Sequence, residues 1–222
     1  MRCQRPFATL LLLPLLACSA TAAAQAGEPG GTIRAAATMG IDNWSDLGDV
    51  QPFLGGSFDD TGFGLDLGVH WLVGRTGPAD VLLGFNLGGF FHDSNVRGIE
   101  EGEDLAASVV YLAPSVKFAF GSPGGRRLYV DAGIGYYGAA IDEMESDCYF
   151  GCDSYEYYDD DTLGGYAGLS ADFPLGARMG GVRLTTGFAV HFVDFDSPVE
   201  LDGASSLDGP IYAFQVGLAW GR

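Results

Sequence analysis

Eight segments of the chain alternate between apolar residues and small or polar ones with a period of two, which is typical of β-strands with two different faces. In the second segment, every odd position from Phe63 to Val73 is apolar, whereas the even positions from Gly62 to His70 hold only Gly, Asp and His. The pattern predicts strands at 32–42, 61–73, 80–92, 105–120, 126–141, 162–173, 181–194 and 209–220. The sequence therefore predicts an all-β fold.

The connections between these segments alternate between long and short. The long ones hold 5, 5, 9 and 5 of the 29 Asp and Glu residues and comprise residues 42–60, 93–104, 142–161 and 194–208. The short ones, around 74–80, 121–127 and 174–181, are rich in Gly and Pro and contain Arg75, Arg126, Arg127 and Arg178. Short turns on one side and longer loops on the other are typical of an up-and-down barrel in an outer membrane.

The composition of the second face indicates what surrounds the barrel. A water-soluble barrel would carry many charged side chains on its outer surface, but here the second face is mostly Gly, Ala, Ser and Tyr. Such a face suits a narrow lumen, so we expect the apolar face to meet hydrocarbon, where Lys or Arg at the midplane costs about 2–4 kcal/mol. The charges expected in the lumen are Arg34, Asp66, Lys117, Asp131, Asp172 and Arg183.

We therefore expect an eight-stranded antiparallel up-and-down transmembrane β-barrel with four long acidic loops and three short turns. Aromatic girdles are expected at both membrane interfaces. Their candidates are Trp71, Phe120, Phe173 and Trp220 on the turn side and Phe90, Phe91, Phe192 and Phe195 on the loop side.

The first 26 residues have the features of a cleaved export signal. Two arginines precede an apolar run at 7–17, and Ala24-Gln25-Ala26 offers a small-x-small cleavage site. We expect a signal peptide at 1–26 and one outer-membrane barrel domain at 27–222. The alternative is a lipoprotein-type cleavage site that would make Cys18 the acylated first residue.

The mature chain is strongly acidic and keeps two cysteines. Removal of the two signal arginines from the 11 basic residues leaves 9 against 29 acidic ones, a formal charge of −20, which excludes nucleic acid as a natural partner. Cys148 and Cys152 lie in the most acidic loop, and in an exported protein such a pair favours a local disulfide. Zinc is the alternative, but two thiols with no His nearby leave its ligand shell incomplete. We expect no cofactor.

The closing segment carries a resemblance to a known family. One face of this segment holds Tyr212, Phe214, Val216, Leu218 and Trp220. Together with the strand pattern from Thr32 onward, it resembles the small eight-stranded outer-membrane barrels of Gram-negative bacteria, the OmpA/OmpX-type family. The resemblance implies an integral outer-membrane location, contact with outer-membrane lipid and lipopolysaccharide, and recognition of the last strand by the barrel assembly machinery. The chain departs from the family in ending Trp220-Gly221-Arg222 rather than on the aromatic residue.

The lumenal charges and two histidines form the first candidate site. Because eight strands enclose a space just wide enough for side chains to fill, we expect a plug that fixes the strand register. A narrow channel for small solutes or protons is the alternative. The expected polar network comprises Arg34, Asp66, His70, Lys117, Asp131, Asp172, Arg183 and His191.

The acidic loops are the second candidate site. Solvation of the loop tips is the favoured role, and binding of divalent cations is the alternative, with Asp159, Asp160 and Asp161 beside the loop from Cys148 to Cys152 as candidate ligands. Calcium takes 6–8 oxygen ligands, and the chain lacks the D-x-D-x-D-G spacing.

An enzyme is the competing functional class. His92-Asp93-Ser94-Asn95 matches the short His-x-Ser string of the lipid A deacylases, in which a base lies within reach of a nucleophile. In that family the pair lies towards the end of the chain with an acid on the following strand, whereas here it ends the third predicted strand and His92 falls on the lumenal face. We therefore expect a structural or surface-interaction role and no enzymatic activity.

Overall fold

The computed structural model describes residues 33–44, 47, 59–97, 103–122, 124–145, 156–176, 181–196 and 207–221. Its strands are β1 (Ile33–Trp44), β2 (Thr61–Thr76), β3 (Ala79–Arg97), β4 (Glu103–Gly121), β5 (Arg127–Glu145), β6 (Glu156–Pro174), β7 (Arg183–Phe195) and β8 (Leu207–Gly221). In this part of the chain no helix is long and apolar enough to cross a membrane. The predicted signal peptide at 1–26 and the predicted Cys148–Cys152 disulfide lie outside the described residues.

The eight strands form one closed sheet. Each strand pairs antiparallel with the next along the chain, and β1 also pairs with β8. The closing ladder runs from Arg34 opposite Gly221 to Trp44 opposite Ile211. Closure matters because hydrocarbon offers no partner to a free strand edge. The predicted eight-stranded up-and-down barrel is confirmed.

The apolar face of the strands points away from the lumen, as predicted. Ile134 of β5 and Leu163 of β6 are 73% and 75% exposed, whereas Tyr137, of the opposite face, is fully buried. Successive side chains in a strand point to opposite faces, so the same alternation in every strand produces a continuous apolar outer surface.

The lumen is filled at two levels of different chemistry. Buried apolar side chains occupy the loop end and include Trp44, Phe90 and Ile211. Buried charged side chains, among them Arg34 and Asp172, occupy the turn end. The charged level agrees with the expectation from the sequence, whereas the apolar level was not predicted.

Two aromatic residues expected in the outer girdle lie inside the barrel. Phe90 and Phe195 are fully buried, whereas Phe91 and Phe192 are 45% and 58% exposed. Side chains alternate along a strand, so residues one or three positions apart point to opposite faces, and the assignment of Phe90 and Phe195 to the girdle is wrong.

Four neighbouring strands are longer than predicted. β3, β4, β5 and β6 have 19 residues each, about twice the 9–11 that a tilted membrane span needs. They include much of the predicted loops at 93–104 and 142–161. There the outer face of the strands no longer carries the apolar stripe that marks a strand in the sequence, although inner-face residues such as Val109 and Ile141 remain buried. The parts beyond the outward residues Phe91, Val110, Tyr136 and Leu163 form what we call the raised sheet, residues 92–97, 103–109, 137–145 and 156–162.

Inward glycines make room for tyrosine rings in the lumen. A Cβ atom on Gly88 would lie 2.6 Å from the Tyr111 hydroxyl, and one on Gly164 would lie 2.9 Å from the Tyr137 ring. Real Cβ atoms essentially never lie so close to another atom, so a larger residue at either position would force its neighbours to shift. The high glycine content of the lumenal face therefore lets large aromatic rings fill a narrow barrel.

Candidate functional site in the lumen and at the rim

Arg34 of β1 and Asp172 of β6 join two sides of the lumen near the turn end. Arg34 Nε and Nη2 donate to the two carboxylate oxygens of Asp172 over 3.0 and 2.9 Å, and Nη2 also donates to Thr185 Oγ1 over 3.2 Å. The Tyr129 ring centroid lies 4.6 Å from the Arg34 guanidinium carbon. Bidentate pairing with a carboxylate and stacking on a ring are the contacts that suit arginine best. One side chain thus connects β1 with β5, β6 and β7.

A second ion pair joins neighbouring strands. Lys117 Nζ of β4 lies 3.3 Å from Asp131 Oδ2 of β5, and both side chains are buried. Arg183, also expected in the network, begins β7 and is half-buried. The structure thus brings Lys117 and Asp131 together and places Arg183 at the turn end.

A third pair at the turn end was missed by sequence reasoning. Asp80, at the start of β3, pairs with Arg127 of β5 across the intervening β4, and Arg75 Nε donates to Asp80 Oδ1 over 2.6 Å. Arg127 has the same parity as Asp131 and so shares its lumenal face, a signal that was present in the sequence. Arg127 was read only as a residue of a short turn, and Asp80 was not singled out.

A small polar cavity lies between the charged and apolar levels. Its volume is about 60 Å³, taken as the space open to the centre of a water molecule, which is room for about four waters. Asp66, Tyr111 and Lys117 are among the lining residues, and the Tyr111 hydroxyl donates to Asp66 Oδ2 over 2.5 Å. The cavity is thus large enough to hold a few water molecules.

The two lumenal histidines have separate partners. His70 Nε2 lies 2.9 Å from Ser115 Oγ, and His191 Nδ1 lies 3.0 Å from the Tyr137 hydroxyl oxygen. The His191 ring also packs against Phe90, with 4.9 Å between ring centroids. Each histidine is therefore held by one hydroxyl group within hydrogen-bond distance.

Another buried polar pair lies at the loop end, inside the apolar level. Asp42 Oδ2 is 2.7 Å from His92 Nε2, and both side chains are fully buried. His92 Nδ1 lies 3.2 Å from the carbonyl oxygen of Asp59, and the Trp44 ring centroid lies 6.0 Å from that of His92. The histidine of the His-x-Ser string therefore faces the lumen and not the lipid.

The three aspartates considered as cation ligands are strand residues, so their assignment to a loop is wrong. Asp159, Asp160 and Asp161 belong to β6 and lie opposite Ala140, Ala139 and Gly138 of β5. Because side chains alternate along a strand, Asp160 points to one face and its two neighbours to the other. In the described ranges, no group of three or more His, Cys, Asp or Glu side chains is placed to hold a metal ion.

Asp160 instead connects β6 with the end of β7. Its Oδ2 accepts a hydrogen bond from the Asp196 N–H over 2.8 Å, and the Tyr158 hydroxyl donates to the Asp196 carbonyl oxygen over 2.6 Å. Side chains of β6 thus join this strand to the residue that follows β7.

Comparison with known proteins agrees with this architecture. A family model described as "Outer membrane protein beta-barrel domain" matches residues 10–221. No curated protein matches the chain significantly. A major outer membrane protein from Thermus thermophilus is similar, with 14% identity, a TM-score of 0.54, and coverage of 87% of this chain and 100% of that one.

Two further solved structures are also similar. Neisserial surface protein A has 13% identity, a TM-score of 0.45, and coverage of 87% of this chain and 98% of that one. OprG from Pseudomonas aeruginosa has 15% identity, a TM-score of 0.45, and coverage of 88% and 98%. At these identities the likeness concerns the fold alone.

Proposed function

Since the chain belongs to the family of outer membrane protein β-barrel domains and is therefore an outer-membrane protein, we propose that its role is structural or interactive. In this proposal the barrel anchors the chain, its lumen is closed to solutes, and the raised sheet is displayed at the cell surface. The proposed role involves no enzymatic activity.

The observation that carries the proposal is the filling of the lumen at two successive levels. At the loop end, Trp44, Phe90 and Phe195 are 1%, 0% and 0% exposed. At the turn end the Arg34–Asp172 pair crosses the lumen. A solute passing through would have to displace packed aromatic rings and separate a buried ion pair, and leaving one such charge uncompensated costs about 3–5 kcal/mol. A closed lumen leaves the surface as the place where the protein acts.

Planar-bilayer recording tests the closed lumen. The purified barrel is expected to give no steady, discrete openings. Steady openings of the unmodified protein that change with Lys117→Ala or Arg183→Ala would support the alternative, a narrow channel for small solutes.

The outer surface supports lipid as the first partner. Its apolar side chains suit contact with outer-membrane lipid and lipopolysaccharide, and the apolar face of β8, ending at Trp220, suits recognition by the barrel assembly machinery. Divalent cations would reach Asp159 and Asp161, which are exposed, only as bridges to anionic lipopolysaccharide. Depletion of the assembly machinery is expected to leave the chain unfolded and sensitive to protease.

The burial of His92 argues against a lipid A-modifying enzyme. Its ring contacts Asp42 inside the barrel, away from the acyl chains that a deacylase must reach. Incubation with lipid A is expected to release no fatty acid. Release that disappears in the His92→Ala variant, with the barrel still folded, would reverse this part of the proposal.

A further inference from the structure

His92 of β3 lies between two acceptor groups at the loop end of the lumen. Its Nδ1 is 3.2 Å from the backbone carbonyl oxygen of Asp59, and its Nε2 is 2.7 Å from the Asp42 carboxylate. A carbonyl oxygen can only accept a hydrogen bond, so Nδ1 carries a proton. In a neutral imidazole the other nitrogen is then an acceptor. The state of His92 Nε2 therefore depends on what Asp42 presents to it.

An unprotonated Nε2 does not fit beside an ionised Asp42. The two lone pairs would face each other over 2.7 Å, and both side chains are fully buried. Within the described residues, neither the carboxylate oxygens of Asp42 nor Nε2 of His92 has another hydrogen-bond partner. Leaving such buried groups unpaired is costly. One proton must therefore lie between Asp42 and His92, on the ring or on the carboxyl group.

The titratable groups around His92 are all acidic. Asp42 comes from β1, and Asp59 and Asp60 come from the segment before β2, where their side chains are exposed. From the other side, β4 places the uncharged Ala107 opposite His92. In the part of the chain that the structure describes, no Lys or Arg forms a salt bridge with this pair. A proton is thus the positive charge that holds the pair together.

The pair lies where the start of β2 is fastened to the strands on both sides. The Trp44 N–H of β1 donates to the Asp60 carbonyl oxygen over 2.8 Å. The Asp59 N–H donates to the Asp93 carbonyl oxygen of β3 over 3.1 Å. The contact from His92 Nδ1 to the Asp59 carbonyl oxygen completes this set of bonds. A movement of the His92 ring would therefore weaken the attachment of this segment to the barrel.

We propose that Asp42 and His92 hold one proton between them and that this proton fastens residues 59–60, which we call the β2 entry, to the mouth of the barrel. When the pH rises, the proton leaves to a base in the solvent. The carboxylate and the unprotonated ring nitrogen then repel each other, and the ring moves away from the Asp59 carbonyl. This proton latch goes beyond the proposed surface role and does not depend on it.

The direction of the pH dependence follows from the number of bound protons. The closed pair binds two, one on Nδ1 of His92 and one shared with Asp42. A separated, hydrated pair also binds two between about pH 4 and 6.5, but only one above about pH 6.5, where a free histidine loses its charge. The equilibrium constant for opening is therefore expected to rise by up to about tenfold per pH unit above that point.

Amide hydrogen exchange of the full-length barrel in detergent micelles tests the latch. The reporters are the amides of Trp44 and Asp59, which form the backbone bonds of the β2 entry. Their protection, relative to an unstructured peptide at the same pH, is expected to be constant from about pH 5 to 6.5 and to fall by up to about tenfold per pH unit above it. The Leu175 amide, which donates to the Val182 carbonyl oxygen at the turn end, is expected to keep constant protection.

Two isosteric variants separate the latch from other causes of pH dependence. Asp42→Asn places an amide N–H beside Nε2, so a neutral His92 can be paired at both nitrogens without the extra proton. Protection in this variant is expected to be independent of pH over the same range. Asp93→Asn makes the same change at an exposed aspartate next to His92 and is expected to keep the unmodified slope. Heat-modified mobility in gels verifies that each variant is folded.

The ring nitrogens of His92 provide a second measurement, on the unmodified chain, which decides the question if Asp42→Asn does not fold. Nitrogen NMR at pH 6 is expected to show a proton or a hydrogen bond at both nitrogens. An unpaired ring nitrogen at pH 6 would overturn the inference. Constant protection of the β2 entry up to pH 9 would do the same, as would a slope that survives Asp42→Asn or is lost equally in Asp93→Asn.

Discussion

Asp172 accepts two parallel hydrogen bonds from Arg34 across the lumen, although the two residues are 138 positions apart and their strands share no ladder. The contact therefore connects parts of the ring that the backbone joins only through intervening strands. Its contribution is best measured by removing one partner, because this leaves the other charge buried and uncompensated.

The Asp172→Asn variant is expected to lose about 3–5 kcal/mol of unfolding free energy, measured by urea titration in detergent micelles. The control is Arg75→Gln, because the Arg75 side chain is 70% exposed and an exposed pair contributes only about 0–1 kcal/mol. Equal losses in the two variants would show that the pair does not hold the barrel together. An Arg34→Met, Asp172→Leu double variant is expected to recover most of the loss.

The outward orientation of the apolar face can be tested with one charge. Leu169 lies on β6 between Leu163 and Phe173 and is 53% exposed. Leu169→Arg is expected to cost about 2–4 kcal/mol, as for Arg near the bilayer midplane, in refolding titrations into lipid vesicles. Asp159→Arg, on the same face of the same strand but in the raised sheet, is expected to cost much less. If Leu169→Arg leaves the folding free energy unchanged, this surface is not buried in hydrocarbon.

The glycine–tyrosine packing predicts a difference between two alanine substitutions. A Cβ on Gly88 meets both the Tyr111 hydroxyl and the Leu65 carbonyl oxygen at 2.6 Å, whereas one on Gly74 meets nothing within 4 Å. Gly88→Ala is therefore expected to destabilise the barrel by about 1–3 kcal/mol through overpacking, while Gly74→Ala is expected to be close to neutral. The urea midpoints of both variants test this.

The three tryptophans provide a spectroscopic test of the two faces. Trp44 is buried in the lumen, whereas Trp71 is 41% exposed on the outer surface, and Trp220 has the outward parity of β8. In vesicles of brominated lipid, single-tryptophan variants that keep Trp71 or Trp220 are expected to be strongly quenched. A variant that keeps only Trp44 should retain most of its emission, and strong quenching of it would place the Trp44 ring against lipid.

The barrel was predictable from the sequence because hydrocarbon imposes a simple rule. Every membrane-facing position must be apolar, so β2 shows Phe63, Leu65 and Leu67 in strict alternation with small or polar residues. The same rule placed Arg34, Lys117 and Asp131 in the lumen, where the structure has them buried. Which charge pairs with which was not predictable, because the partners of Arg34 and Asp80 depend on strand register and on how the closed sheet curves.

The raised sheet and the apolar upper lumen were not predicted from the sequence, and the reasons are related. The strand at 162–173 was predicted, but Asp159, Asp160 and Asp161 show no alternation of apolar and polar residues by which to recognise the upper part of β6. Inside the upper lumen, Phe90 and Phe195 are as apolar as the lipid-facing residues beside them, so neighbouring positions were both read as interface aromatics. The histidine of the His92-Asp93-Ser94 string was placed correctly on the lumenal face, although its partner Asp42 was not foreseen.

The unequal strand lengths give the barrel an oblique rim. β6 continues nine residues beyond its last pair with β7, while β7 continues only three, to Phe195. The difference of six residues corresponds to about 20 Å along the strand. The top of β6 is therefore lifted away from the bilayer, while the adjoining end of β7 stays close to it.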